Sequence, residues 1–128
     1  MSQTFSTLVL GAQAERQVSL DNRLVIAPMC QYSAEEGQAN DWHLSHWINL
    51  LNSGAAMVTL EATAVTADGR ISPGCLGLWS DATQAALEEY LGRARALAPA
   101  TPVCIQLSHA GRKASSAKPW DGGALLDL

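Results

Sequence analysis

The sequence predicts an α/β fold: the first three β/α units of a (β/α)8 TIM barrel, behind an N-terminal β-hairpin and short of the closed barrel. Three observations carry this reading. Short apolar runs rich in Val, Leu and Ile occur at Leu24 to Pro28, Met57 to Ala62 and Val103 to Leu107. Two stretches of helical periodicity separate them. The runs are apolar almost throughout, as strands of a parallel sheet buried on both faces are.

The elements can be justified in chain order. Residues 8–20 contain two apolar pieces, LVL and VSL, around a polar turn, which predicts a hairpin. The first strand follows and stops at Pro28, which has no N–H to give to a ladder. Leu44, Trp47, Ile48 and Leu51 then fall at i, i+3, i+4 and i+7, one helical face. Asn40 or Asp41 is placed to cap this helix, and Gly54 to end it. After the second strand, Leu87, Tyr90, Leu91, Ala94 and Leu97 form another stripe. Asp81 with Gln84 resembles a capping box. Glu89 and Arg93 make an i,i+4 pair. Pro99 and Pro102 stop the helix before the third strand. The order β-α-β-α-β implies parallel strands with crossover helices.

Two helices cover one face of such a sheet, and a closed barrel takes roughly 250 residues. The 128 residues therefore read as the N-terminal part of a barrel, with residues 1–21 the hairpin and 22–128 running from the first barrel strand to the loop after the third. Half of a doubly wound fold is the alternative. Against it, the turn after the first strand reads PMCQYS, without the G-x-G-x-x-G that seats a pyrophosphate.

Composition narrows the function. The chain is 48% hydrophobic and 16% charged, with net charge −4 and no basic block, so nucleic acid is not expected as a partner. No apolar run reaches the roughly 18 residues of a membrane span. No secretory signal is read at the N-terminus, and Cys30, Cys75 and Cys104 are three widely spaced thiols without a CxxC. Reduced cysteines in a cytoplasmic protein are expected.

A β/α barrel places its chemistry at the C-terminal ends of its strands. Those ends carry Pro28-Met29-Cys30 with Tyr32 beyond, Glu61-Ala62-Thr63, and Gln106-Leu107-Ser108-His109. A thiol, a phenol, a carboxylate, a primary amide and an imidazole are thus expected at one mouth. The Gln106 amide both donates and accepts, which suits a ring with alternating N–H and C=O edges. The long connection from Thr63 to Ser80 is expected to form a lid or wall.

Four motifs together, NRLVIAPMCQY, EATAVTADGR, LGLWSD and IQLSHAGRKA, resemble the Old Yellow Enzyme family of flavin-dependent ene-reductases, in particular its cysteine-bearing branch of xenobiotic reductases and NADPH dehydrogenases. The resemblance covers about Asn22 to Trp120 and the first third of that family's barrel. It implies FMN across the barrel mouth, with Ala27, Pro28, Met29 and Cys30 lining the flavin. Cys30 would tune the flavin's redox potential and Tyr32 would touch the substrate. Ala62 would offer backbone contacts, and Gln106 would bind the pyrimidine edge. The implied reaction passes hydride from NADPH or NADH through FMN to an activated alkene, with a homo-oligomer as a possible assembly. The family's later features, a His-x-x-His or His-x-x-Asn pair after its fourth barrel strand among them, lie beyond the part matched here. Two alternatives stand beside this reading: an inactive truncated fragment, and another FMN-binding barrel dehydrogenase.

Each residue also has a plainer reading. Cys30, Tyr32 and Gln106 could be packing residues, and the four tryptophans commonly are. Cys104 reads as core, and Cys75 as a loop thiol without evident role. Glu61 could serve by accepting hydrogen bonds from loop backbone. His109 could face the mouth or pack under the loop. His43 and His46 share an H-x-x-H spacing but fall on the first helix without a third ligand, so no metal is assigned to them.

Overall fold

Backbone pairing divides the chain into a hairpin and a parallel sheet. A computed structural model describes residues 3–11, 13–98 and 101–126. Among these, β1 (Leu8–Leu10) and β2 (Val18–Leu20) pair antiparallel, which is the predicted hairpin. Then follow β3 (Val25–Ile26), α1 (Asp41–Leu51), β4 (Met57–Ala64), α2 (Asp81–Leu97) and β5 (Val103–Ser108). The second sheet has the order β3-β4-β5, and both of its pairings are parallel.

β3 is shorter than the run Leu24 to Pro28. It lies at the sheet edge, paired among the described residues only with β4, and the chain leaves the ladder before Pro28, which cannot donate to it. β4 runs further than Ala62 because the later loop pairs with its end. Ala64 N–H donates to Leu76 O at 2.9 Å, and Ala64 O accepts from Leu78 N–H at 2.8 Å.

The helices pack on one face. Trp47, Leu51, Ala94 and Ala98 form the core with Val58 and Leu60 of β4, and Ile26, Val103 and Ile105 pack against it. The alternate residues Val25, Cys104 and Gln106 are exposed on the other face. This corrects the assignment of Cys104 to the core: the strand alternation turns it away from the helices. Leu97, placed on the α2 stripe, is 67% exposed at the helix end, beyond the reach of the core.

The caps also differ in detail. Asn40 is the N-cap of α1, with a capping box closed by His43, while Asn52 rather than Gly54 caps the C-terminus. Ser80, not Asp81, is the N-cap of α2, and Thr83 closes its box. A serine hydroxyl reaches the N3 amide as readily as a carboxylate does. α2 ends at Leu97 with Ala98 as C-cap; Pro99, the first predicted stop signal, lies outside the described residues. The predicted Glu89–Arg93 pair forms at 3.6 Å, and Arg93 also reaches Asp41 of α1 at 3.6 Å.

Candidate active site

The ends of β3, β4 and β5 meet as the parallel register requires. Ala62 of β4 lies opposite Gln106 of β5, just past a bulge between Leu60 and Ala62 that leaves Glu61 as the extra residue. A bulge re-aims the side chain it carries. Glu61 is turned into the protein and is only 4% exposed. One of its carboxylate oxygens accepts the backbone N–H of Gln31, and the other faces His43 Nε2 at 3.3 Å. The expectation that Glu61 receives loop backbone is met.

The loop after β3 is held from several sides. The Gln31 side chain donates to Met29 O at 2.9 Å and accepts from Trp42 Nε1 at 3.3 Å. Ala34 N–H donates to Gly74 O at 2.9 Å. Gly74 presses on the Tyr32 carbonyl so closely that a Cβ there would collide with it. Tyr32 has φ 53°, a left-handed conformation uncommon for an aromatic residue, which this packing enforces. Its ring meets Trp120 edge to face, with centroids 5.9 Å apart.

The Cys30 thiol lies beside the Cys75 side chain and near the backbone of Ala62. The neighbouring Cys75 and burial push the Cys30 thiol upward, so Cys30 keeps its proton. The neighbouring Cys30, helped by Ser72, pulls Cys75 down to about 6. Ser72 Oγ lies 3.5 Å from the Cys75 sulfur. Burial raises the Tyr32 phenol, with the charges of Cys30, Cys75 and Glu61 adding to it.

The predicted residues thus fall into two groups. Cys30 lies near the Ala62 backbone, and Ala62 lies opposite Gln106 in the sheet register. Ala27 and Met29 are exposed and Pro28 half-buried along the same segment. The Gln106 amide is exposed and makes no hydrogen bond among the described residues. His109 is exposed but covers Gly69, where a Cβ would come within 2.9 Å of its ring. His43 is fully buried on Glu61 and Asn40 and His46 half-buried; no group of three metal-ligating side chains occurs among the described residues.

Sequence reasoning missed Cys75, which is buried beside Cys30, and Trp120, which is 63% exposed beside Tyr32. The length of the Thr63 to Ser80 connection was the available signal for the first. Nothing in the local pattern around Trp120 marks its partner.

The sequence pattern of the NADH:flavin oxidoreductase / NADH oxidase family matches residues 15–123. The chain belongs to that family. Among curated members, an NADH:flavin oxidoreductase of Gibberella zeae is 44% identical over 115 residues, covering 90% of this chain and 27% of its own. The NADPH dehydrogenase of Listeria monocytogenes is 43% identical over 116 residues, covering 89% and 32%. The chain therefore spans about a third or less of the length of these family members. Among solved structures, morphinone reductase in complex with tetrahydroNAD superposes with TM-score 0.73 at 23% identity, over 91% of this chain and 29% of that one. The old yellow enzyme homologue of Zymomonas mobilis gives 0.69 at 21%, over 87% and 29%. The fold is accordingly the N-terminal β/α part of an Old Yellow Enzyme-type barrel.

Proposed function

We propose that this chain supplies the first wall of an FMN site in an NAD(P)H-dependent oxidoreductase of the ene-reductase type. The observation that carries the proposal is the convergence of Cys30, Ala62 and Gln106 at adjacent strand ends. The donor set fits FMN. Gln106 presents an amide without a partner among the described residues, able to donate and accept, which matches a pyrimidine-like edge. Ala27, Pro28 and Met29 offer an apolar strip to an aromatic ring, and Ala62 offers backbone.

Bound there, FMN supplies hydride transfer between NADPH or NADH and an activated alkene. The chain's own residues hold and orient. Cys30 keeps its proton and presents a neutral, polarizable thiol beside the ring. Tyr32, whose phenol is held protonated by burial, donates a hydrogen bond to a substrate oxygen. Trp120 backs Tyr32 and limits its rotation. In this reading, residues 1–21 belong to the N-terminal hairpin and 22–128 run from the first barrel strand to the loop after the third. A cytoplasmic location, homo-oligomerisation and a small-molecule alkene substrate belong to the same proposal.

A second reading has its own support. The sheet face opposite the helices leaves Val25 and Cys104 exposed, which favours a catalytically inactive piece of such an enzyme. The two separate by adding FMN, desalting and assaying alkene reduction with NADPH. Retained flavin with turnover supports the first. Retained flavin without turnover supports the second, and a colourless protein removes the site assignment.

A further inference from the structure

A buried carboxylate–imidazole pair lies directly beneath the loop that carries Cys30 and Tyr32, and the chemistry proposed above does not use it. His43 is 0% exposed and Glu61 4%. Burying an ionisable pair costs free energy unless its lone pairs and protons are satisfied. Here they are. His43 Nδ1 lies 3.2 Å from the Asn40 N–H and 3.0 Å from Asn40 Oδ1, while Nε2 faces a carboxylate, which can only accept. Nε2 then donates to Glu61 Oε1 at 3.3 Å. The other Glu61 oxygen receives the Gln31 N–H, from the residue between Cys30 and Tyr32. The Asn40 side chain closes the circuit by donating to Ser33 O at 2.7 Å, just past Tyr32. Trp47 seals the imidazole, its ring centroid 5.6 Å away.

We propose that Glu61 and His43 are positioning residues, which fix the backbone of the Cys30–Tyr32 loop from below. Glu61 sets the height of the loop through the Gln31 amide. His43 sets the orientation of Glu61 and ties it to the capping box of α1. Glu61 reaches the loop by a hydrogen bond and His43 reaches it through Glu61, so each acts through the loop. A neutral amide has one acceptor oxygen and cannot serve both the Gln31 N–H and Nε2. The charge of Glu61 is thus used twice. The consequence for flavin binding rests on the FMN reading; the anchoring of the loop does not.

The test is amide hydrogen exchange at single-residue resolution on the full chain, as wild type, Glu61→Gln and His43→Gln, with FMN affinity measured on each. In the wild type, Gln31 N–H is expected to be protected although it belongs to no strand or helix. In Glu61→Gln its exchange rises about tenfold to a hundredfold, the range for a hydrogen bond to a charged group, while Val58 and Leu60 of β4 are unchanged. His43→Gln gives a smaller rise at the same amide, and FMN affinity falls in the same order. Exchange of Gln31 at the unprotected loop rate in the wild type would overturn the proposal without any variant. So would equal losses at Gln31, Val58 and Leu60 in both variants, which would assign the pair to fold stability alone. Wild-type chain that binds no FMN would remove the flavin reading, and the exchange rates would still decide the anchoring.

Discussion

Cys30 and Cys75 lie side by side, and each shifts the other: Cys30 is raised and Cys75 is lowered to about 6. Thiolate absorbance in the ultraviolet should therefore titrate with a midpoint near that value, and Cys75→Ser should abolish the step. The sign for stability follows from the same shifts. Cys75 lies below its ordinary 9.0, so its contribution is full above about 9 and is lost as pH falls through about 6. Cys30 is raised, so its contribution is present below 9.0 and is lost as pH rises beyond it. Wild type should gain stability over Cys75→Ser from pH 6 to 9, read by thermal melts. A difference that shrinks across that window would contradict the lowered Cys75 thiol. For the flavin, Cys30→Ala should leave FMN bound but shift its reduction potential, measured by dye-equilibrated reduction. An unchanged potential would separate Cys30 from the ring.

The elements are built on short polar signals and one large apolar residue. Asn40 both caps α1 and receives the loop, so Asn40→Ala should cost about 1 kcal/mol through the cap alone, and more where Ser33 loses its donor. Trp47 is 2% exposed at the centre of the core, and Trp47→Ala should cost about 3–5 kcal/mol in urea unfolding. The apolar runs and helical stripes were legible because periodicity records which face meets the core. Cap positions were legible only to within a residue, since Asn40 and Asp41, or Ser80 and Asp81, carry similar chemistry. Cys104 was misread because a short apolar strand shows no alternation of its own; which residues turn outward depends on where the helices lie. The Cys30–Cys75 and Tyr32–Trp120 contacts join residues 45 and 88 positions apart, and no local pattern encodes such separations.

For the whole molecule, one sheet face is packed and the other is open. Helices α1 and α2 cover the first, while Val25, Cys104 and Gln106 lie on the second and β3 has a free edge. Exposed apolar strands with an unpaired edge associate. The chain alone should therefore elute above monomer mass in size-exclusion chromatography; a sharp monomer with cooperative unfolding would contradict this. The order of the β/α units was legible in the sequence because each unit is local. What lies against Val25, Cys104 and Gln106 was not, because no described residue covers them. The central claim is that the strand ends form one wall of a flavin site. Its most direct test is the visible spectrum of the purified chain after FMN is added and free flavin is removed. Retained flavin absorbance that is lost in Gln106→Ala is the predicted result. A colourless wild-type protein, or flavin held equally well by Gln106→Ala, would contradict it.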